Sequence, residues 1–247
     1  MSGLLVVTGA SAGIGAATAQ LAAMSGWGRV VVHYGRDAEG AHETAAAVEA
    51  MGAEAHVLQT DIGAPKQVEK LFARVAALKP GRLGLVNNAG IVAPPAGIAE
   101  LTPDRVARLF RVNVLGAVEV ARQAVALMRS WDRGGGIVNV SSAAARLGSA
   151  NQYIDYAACK GAIDSFTLGL ADELAPEGIR VNAIRPGLIE TGIHAKGGQP
   201  DRLEQIGHTP PLGRPGRAEE CAEAILWLLS ERASYVTRTI LDVAGGR

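Results

Sequence analysis

Runs of four to eight mostly apolar residues return seven times along this chain, and alanine-rich stretches with helical spacing lie between them. The runs are LLVV (4–7), RVVVHY (29–34), AHVLQ (55–59), LGLVNNA (83–89), GIVNVSS (136–142), IRVNAIRP (179–186) and TILDVAG (239–245). Their hydrophobicity is continuous rather than alternating, the mark of strands buried on both faces. The helical stretches are 13–25, 38–51, 65–78, 103–130, 155–174 and 218–230. Thr102 and Pro103 suit the start of the fourth, as N-cap and first-turn proline. Strand alternating with helix predicts a doubly wound α/β fold, a mainly parallel sheet with helices on both faces. No linker or repeat interrupts the pattern, so residues 1–247 read as one domain. GGG at 134–136 reads as a turn before a strand.

Composition narrows the function. A chain that is 48% hydrophobic has enough apolar material for one large core. Formal net charge is zero, which argues against a nucleic-acid or membrane-surface partner. Cys159 and Cys221 form no disulfide framework and fit a reducing compartment. Met1-Ser2-Gly3 carries no basic leader, and ILWLL (225–229) is too short to span a bilayer, so a cytoplasmic location is expected. His33, His42, His56, His194 and His208 have no metal-ligand spacing, so no metal is expected. The segment 192–217 is rich in Gly, Pro and His and breaks the α/β rhythm. A lid over 192–212 is expected there, with His194 in it.

Two local patterns carry chemistry. TGASAGIG (8–15) follows the first strand and opens the first helix. Gly9, Gly13 and Gly15 permit a sharp turn and close backbone approach to a ligand. Free N–H groups at the helix start then favour a pyrophosphate. YIDYAACK (153–160) places Lys160 four residues after Tyr156, on the same helix face. An ammonium beside a phenol favours the phenolate and lowers a pKa that is otherwise about 10.

The G-x-x-x-G-x-G spacing, Asn87-Asn88-Ala89-Gly90, Asn113, Ser141-Ser142, Tyr156-x-x-x-Lys160 and Pro186-Gly187 stand in one order from Leu4 to Gly246. Together they closely resemble the short-chain dehydrogenase/reductase family. YIDYAACKGAID and RPGLIETGIHAKGG are most similar to bacterial members labelled glucose-dehydrogenase-like or ketoacyl-reductase-like. The resemblance implies a Rossmann domain that transfers hydride between NAD(P)(H) and a small carbonyl or alcohol substrate. It implies that Tyr156 exchanges the proton and that Ser142 hydrogen-bonds the substrate oxygen. Lys160 would hold the nicotinamide ribose, and Asn113 would support a water relay behind it. The implied cofactor contacts are Gly9, Ser11, Gly13, Ile14, Gly15, Asn88, Ala89, Gly90, Tyr156, Lys160, Pro186 and Gly187. Ile189 would reach the nicotinamide carboxamide by backbone and Thr191 by hydroxyl, with helix capping the other reading of Thr191. Asp61 would accept from the adenine amine with Ile62 packed nearby, or else cap a strand end. The helices 103–130 and 155–174 would pair across a two-fold axis in a homotetramer or homodimer. A non-catalytic NAD(P)-binding regulator on the same fold would lack Tyr156 or Lys160, and both are here.

The chain also departs from the pattern. Ser142 and Tyr156 are fourteen apart where thirteen is usual, so an extra residue is expected within SANQYID (149–155). Ser141 faces away from Ser142 if the strand alternates. Tyr153 is either a pocket wall or a packing aromatic. Cys159 is turned about 100° from Lys160 on a helix and reads as packing. Arg238 stands where relatives often have glycine.

Cofactor choice falls at the end of RVVVHY. An acidic residue there would bind both ribose hydroxyls and repel a 2′-phosphate. Tyr34 takes that place, and Arg36 can grip a phosphate with two parallel hydrogen bonds. NADP(H) is therefore favoured over NAD(H). Ala12, which leaves the glycine turn without a basic residue, and Asp37, within reach of the ribose, weigh the other way.

Overall fold

Each apolar run becomes a strand, and all seven strands run parallel in one sheet. The computed structural model describes residues 3–79, 81–131 and 135–247, the side chains of Trp131, His194 and Lys196 apart. The chain runs β1 (Leu4–Val7), α1 (Gly13–Ala22), β2 (Arg29–Tyr34), α2 (Ala38–Ala50), β3 (Glu54–Gln59), α3 (Pro65–Ala77) and β4 (Leu83–Asn87). It continues with α4 (Pro103–Phe110), α5 (Ala117–Trp131), β5 (Gly135–Val140), α6 (Ala144–Leu147), α7 (Ile154–Leu174) and β6 (Ile179–Pro186). Last come α8 (Ile193–Lys196), α9 (Arg202–Ile206), α10 (Ala218–Leu229) and β7 (Ile240–Val243).

The strand order is β3-β2-β1-β4-β5-β6-β7. The order reverses between β1 and β4, and in open parallel sheets ligands bind at such a switch point, beyond the carboxyl ends of the strands. Alternate residues of each strand feed opposite faces. Leu5, Val7, Val30 and Val32 join Val48 and Ile225 in one core; Leu4, Val6 and Val31 join Phe72, Val120 and Leu174 in the other. Full burial of each aliphatic side chain is worth about 1.5–3 kcal/mol, so both layers are strongly held.

The predicted helix 103–130 is not continuous. Thr102 caps it as expected, its Oγ1 accepting from Arg105 N at 3.3 Å. Residues Arg111–Gly116 then form a π turn before α5. The apolar spacing did not reveal this wider turn, because its cause is long-range. Gly116 lies against the Ile62 carbonyl, where a Cβ would come within 2.8 Å. The GGG turn is also revised: Gly134 lies outside the described residues, and Gly135 and Gly136 already belong to β5. The irregular segment 192–217 contains two short helices, α8 and α9. Among the described residues no helix is long and apolar enough to cross a membrane.

Candidate active site

The glycine turn sits at the switch point, where α1 begins. Gly9 has φ +65°, and its N–H donates to Nδ1 of His33 on β2 at 3.1 Å. His33 Nε2 lies 3.1 Å from the Thr60 carbonyl oxygen, so Nε2 carries the proton and Nδ1 accepts. Burial pushes this imidazole down to about 4. Gly15 does not border the cavity; a Cβ there would run into the Gly9 carbonyl oxygen, so it is a close-packing glycine. Asn88 ties the turn to β4: its Nδ2 donates to the Thr8 and Gly9 carbonyl oxygens at 2.8 and 3.1 Å.

The second half of the site is built by β5 and α7. Ser141 and Ser142 lie just past β5 and separate as alternation predicts. Ser141 is buried, its hydroxyl donating to the Lys160 carbonyl oxygen at 3.2 Å. Ser142 turns the other way: its Oγ accepts from Ala144 N at 3.1 Å, and it borders the same cavity as Tyr156. The backbone of the intervening loop is left-handed at Gly148, Ser149 and Asn151, with φ of 76°, 52° and 57°. The extra residue was expected close by, and two non-glycine residues there adopt a conformation that L side chains seldom favour.

The electrostatics of Tyr156 and Lys160 differ from expectation. Burial raises the Tyr156 pKa, and the nearby Ser142 hydroxyl opposes that only in part. Lys160 is buried and pushed down to about 8. Its Nζ donates to the Val140 carbonyl oxygen at 2.7 Å and stands 5.6 Å from the centroid of the Tyr156 ring. The expected lowering of the phenol by the ammonium is therefore absent, because the backbone of β5 has drawn the ammonium aside.

A cavity of about 320 Å³ joins these parts. Gly9, Ser11, Gly13, Ile14, Asn88, Ala89 and Gly90 line it together with Ser142, Tyr156, Lys160, Pro186, Gly187, Ile189 and Thr191. Gly187 abuts Ala244, where a Cβ would lie 2.7 Å from its Cα. Ile189 bridges Gly216, and that bridge uses the Leu188 carbonyl and the Glu190 N–H. The N–H of Ile189 itself points the other way. Thr191 does not cap α8, whose N-cap is Gly192. The glycine turn, these backbone groups and the helix start fit a dinucleotide.

Other predicted residues lie outside the cavity lining. Asn113 is buried in the π turn and clamps Ile91, accepting from its N–H and donating to its carbonyl, both at 2.9 Å. Ile62 is buried in the core and is not among the residues lining this cavity. Asp61 Oδ1 accepts from Gly63 N at 2.9 Å, matching the capping alternative. Arg36 is exposed beyond β2. Asp37 caps α2 through Gly40 N at 3.1 Å. Cys159 is buried and its thiol is pushed up to about 11, so it is packing.

Tyr153 proves to be a pocket wall. Its hydroxyl donates to Gln199 Oε1 at 2.6 Å, and Arg202 stacks 5.3 Å from its ring centroid. Sequence reasoning missed His33, Arg202 and the ion pair of Asp155 with Arg105. Asp155 has a side chain only 1% exposed, accepts from Arg105 Nε at 2.7 Å, and takes the Tyr156 N–H at 2.9 Å. An acid directly before the tyrosine, in the first turn of a helix, was the available signal.

A family model described as enoyl-(acyl carrier protein) reductase matches residues 9–247. An uncharacterised oxidoreductase of Escherichia coli, YgfF, is 46% identical over 99% of this chain and 99% of its own. A cis-4-hydroxycyclohexanecarboxylate dehydrogenase of Sinomonas cyclohexanicum is 39% identical over 98% of this chain and 94% of its own. The crystal structure of levodione reductase superimposes with a TM-score of 0.88 at 31% identity, over 99% of this chain and 96% of that one. The chain belongs to the short-chain dehydrogenase/reductase family and is an NAD(P)-dependent oxidoreductase.

Proposed function

We propose that the protein moves hydride reversibly between NADP(H) and a carbonyl or alcohol carbon, with Tyr156 as the proton donor or acceptor. The observation that carries this reading is that Ser142, Tyr156 and Lys160 line one cavity together with the glycine turn, Lys160 standing one helical turn after Tyr156. The nicotinamide supplies the hydride chemistry, and the protein supplies orientation and the proton. The glycine turn and the start of α1 hold the pyrophosphate. The Ile189 backbone and the Thr191 hydroxyl hold the carboxamide. Ser142 positions the substrate oxygen, and Tyr156 exchanges a proton with it. Burial keeps Tyr156 protonated, as donation to a carbonyl oxygen requires. Lys160 holds the nicotinamide ribose, and its pKa of about 8 suits proton exchange near neutral pH. Asn113 supports a relay behind it by fixing the Ile91 backbone.

NADP(H) is preferred because Tyr34 replaces the selecting acid, Arg36 stands exposed beyond it, and Asp37 is engaged in capping α2. Residues 192–212 act as a substrate lid. Copies of the chain pair through α4, α5 and α7, with Ile98 just before α4 75% exposed and Leu115 in the π turn 64% exposed, giving a homodimer or homotetramer. Light scattering that reports a monomer at micromolar concentration would exclude that pairing.

The relatives' names, one a cyclic hydroxy acid dehydrogenase and one levodione reductase, favour a ring-borne alcohol or ketone. The test is a screen of ketones, aldehydes, sugars and alcohols, following absorbance of the reduced nicotinamide. On a good substrate, Tyr156→Phe should lose about 10²–10⁴-fold in turnover while cofactor affinity survives. Turnover near the wild type would overturn the role of Tyr156.

A further inference from the structure

We infer that the substrate carries a carboxylate, held at the cavity mouth by Arg202 with Arg247 beside it. This rests on the cavity being the site of hydride transfer. The charged side chains that border it are Lys160, Arg202 and Arg247, with no Asp or Glu side chain among the described residues. Lys160 is already engaged on the Val140 carbonyl oxygen. The two arginines have no such engagement with an acid.

Arg202 has only a neutral acceptor. Its Nη1 donates to Gln199 Oε1, and the same oxygen takes the Tyr153 hydroxyl. Two donors thus share one amide oxygen. No carboxylate among the described residues pairs with Arg202 or with the Arg247 side chain. Burial lowers the Arg202 pKa; Tyr153 opposes this, and the charge of Arg247 pushes the same way as burial. The Arg202 guanidinium is thus partly dehydrated with a second positive charge nearby, and an anion bound to it relieves both effects. A guanidinium has five N–H donors, and a fork of two matches a carboxylate.

The placement fits a substrate with two ends. Tyr153, on which Arg202 stacks, precedes Tyr156 by three residues at the start of α7. Val92, Leu147 and Ile193 supply an apolar wall to the same cavity. The body of the substrate lies against that wall, its reacting carbon at Tyr156 and its carboxylate at Arg202. Hydroxy acids and the matching oxo acids have this form.

Cyclohexanecarboxylate and cyclohexanecarboxamide share nearly the same shape but differ in charge and in one acceptor exchanged for an N–H donor, and calorimetry can compare their binding to the NADP-loaded enzyme. The carboxylate should bind about ten- to a hundredfold more tightly, the range for a hydrogen bond to a charged group. Arg202→Gln should erase that preference, and Arg202→Lys should keep part of it. In turnover, Arg202→Gln should raise KM for a hydroxy acid by at least tenfold more than for its methyl ester. Equal binding of acid and amide, binding of neither, or a preference that survives Arg202→Gln would overturn the inference. Turnover of neutral alcohols without a carboxylate preference would leave the hydride-transfer reading standing and remove only this one. A carboxylate preference without turnover of any alcohol or ketone would do the reverse, leaving an anion site that serves no hydride transfer and so no substrate.

Discussion

Gly9 and His33 are joined by a backbone-to-ring hydrogen bond of 3.1 Å, so a side chain of β2 fixes the turn that follows β1. The imidazole must stay neutral for Nδ1 to accept. Its pKa falls from the ordinary 6.5 to about 4 by burial. Between those values the unfolded chain binds more protons than the folded one, so stability declines as pH falls from about 6.5 to about 4 and levels off below. The gap corresponds to roughly 3 kcal/mol. Asn at position 33 keeps an acceptor but does not titrate. Urea unfolding across this pH range should show a shallower decline for His33→Asn than for the wild type. Parallel profiles would mean that His33 is not the titrating group.

Arg36 should decide between the cofactors. Arg36→Ala should weaken NADP(H) binding by about ten- to a hundredfold, while NAD(H) binding barely changes. Titrations of both cofactors check this. A wild type that prefers NAD(H), or a variant that weakens both equally, would move the selection to Asp37.

Asp155 and Arg105 form a buried pair that anchors the first turn of α7. Removing one partner of such a pair leaves an uncompensated charge, at a cost of about 3–5 kcal/mol. Asp155→Ala and Arg105→Ala should each lose stability on that scale in urea unfolding. The double variant should lose less than the sum of the two. A loss under about 1 kcal/mol in either single variant would show that the pair is not what secures the tyrosine's helix.

The segment 192–212, proposed above as a lid, is tied to the start of α7 by the Tyr153 hydroxyl on Gln199 at 2.6 Å. Amide exchange over 192–212 should be faster than in the strands, and Tyr153→Phe should accelerate it further. Exchange as slow as that of β1 or β4 would argue against a lid.

The sheet was legible because continuous apolar runs such as RVVVHY have few other uses in a chain of this size. The glycine turn, Tyr156, Lys160 and Ser142 were legible because their spacing is local. What escaped depends on distant partners. Nothing near Lys160 in the sequence tells that the Val140 carbonyl takes its ammonium. Nothing near Ile62 in the sequence tells that its side chain packs in the core with Phe72 and Val120. Arg202 lies in a stretch without periodicity, and only folding brings it onto Tyr153. Arg238 was legible in part: its φ of 66° is the backbone that a glycine adopts without strain.

Arg111–Gly116 acts as a phase shifter within what the sequence presents as one helix. An α-helix advances about 100° per residue, so a turn widened by one residue re-aims everything after it by roughly that angle. That is how α4 can lean on α7 while α5, continuing the same coil, lies on α3 and β4. A one-residue deletion here would not shorten a loop. It would rotate one half of the coil off its neighbour and swing the Asn113 amide away from Ile91. In this stretch, chain length itself carries the instruction, and substitutions should be tolerated more readily than gaps.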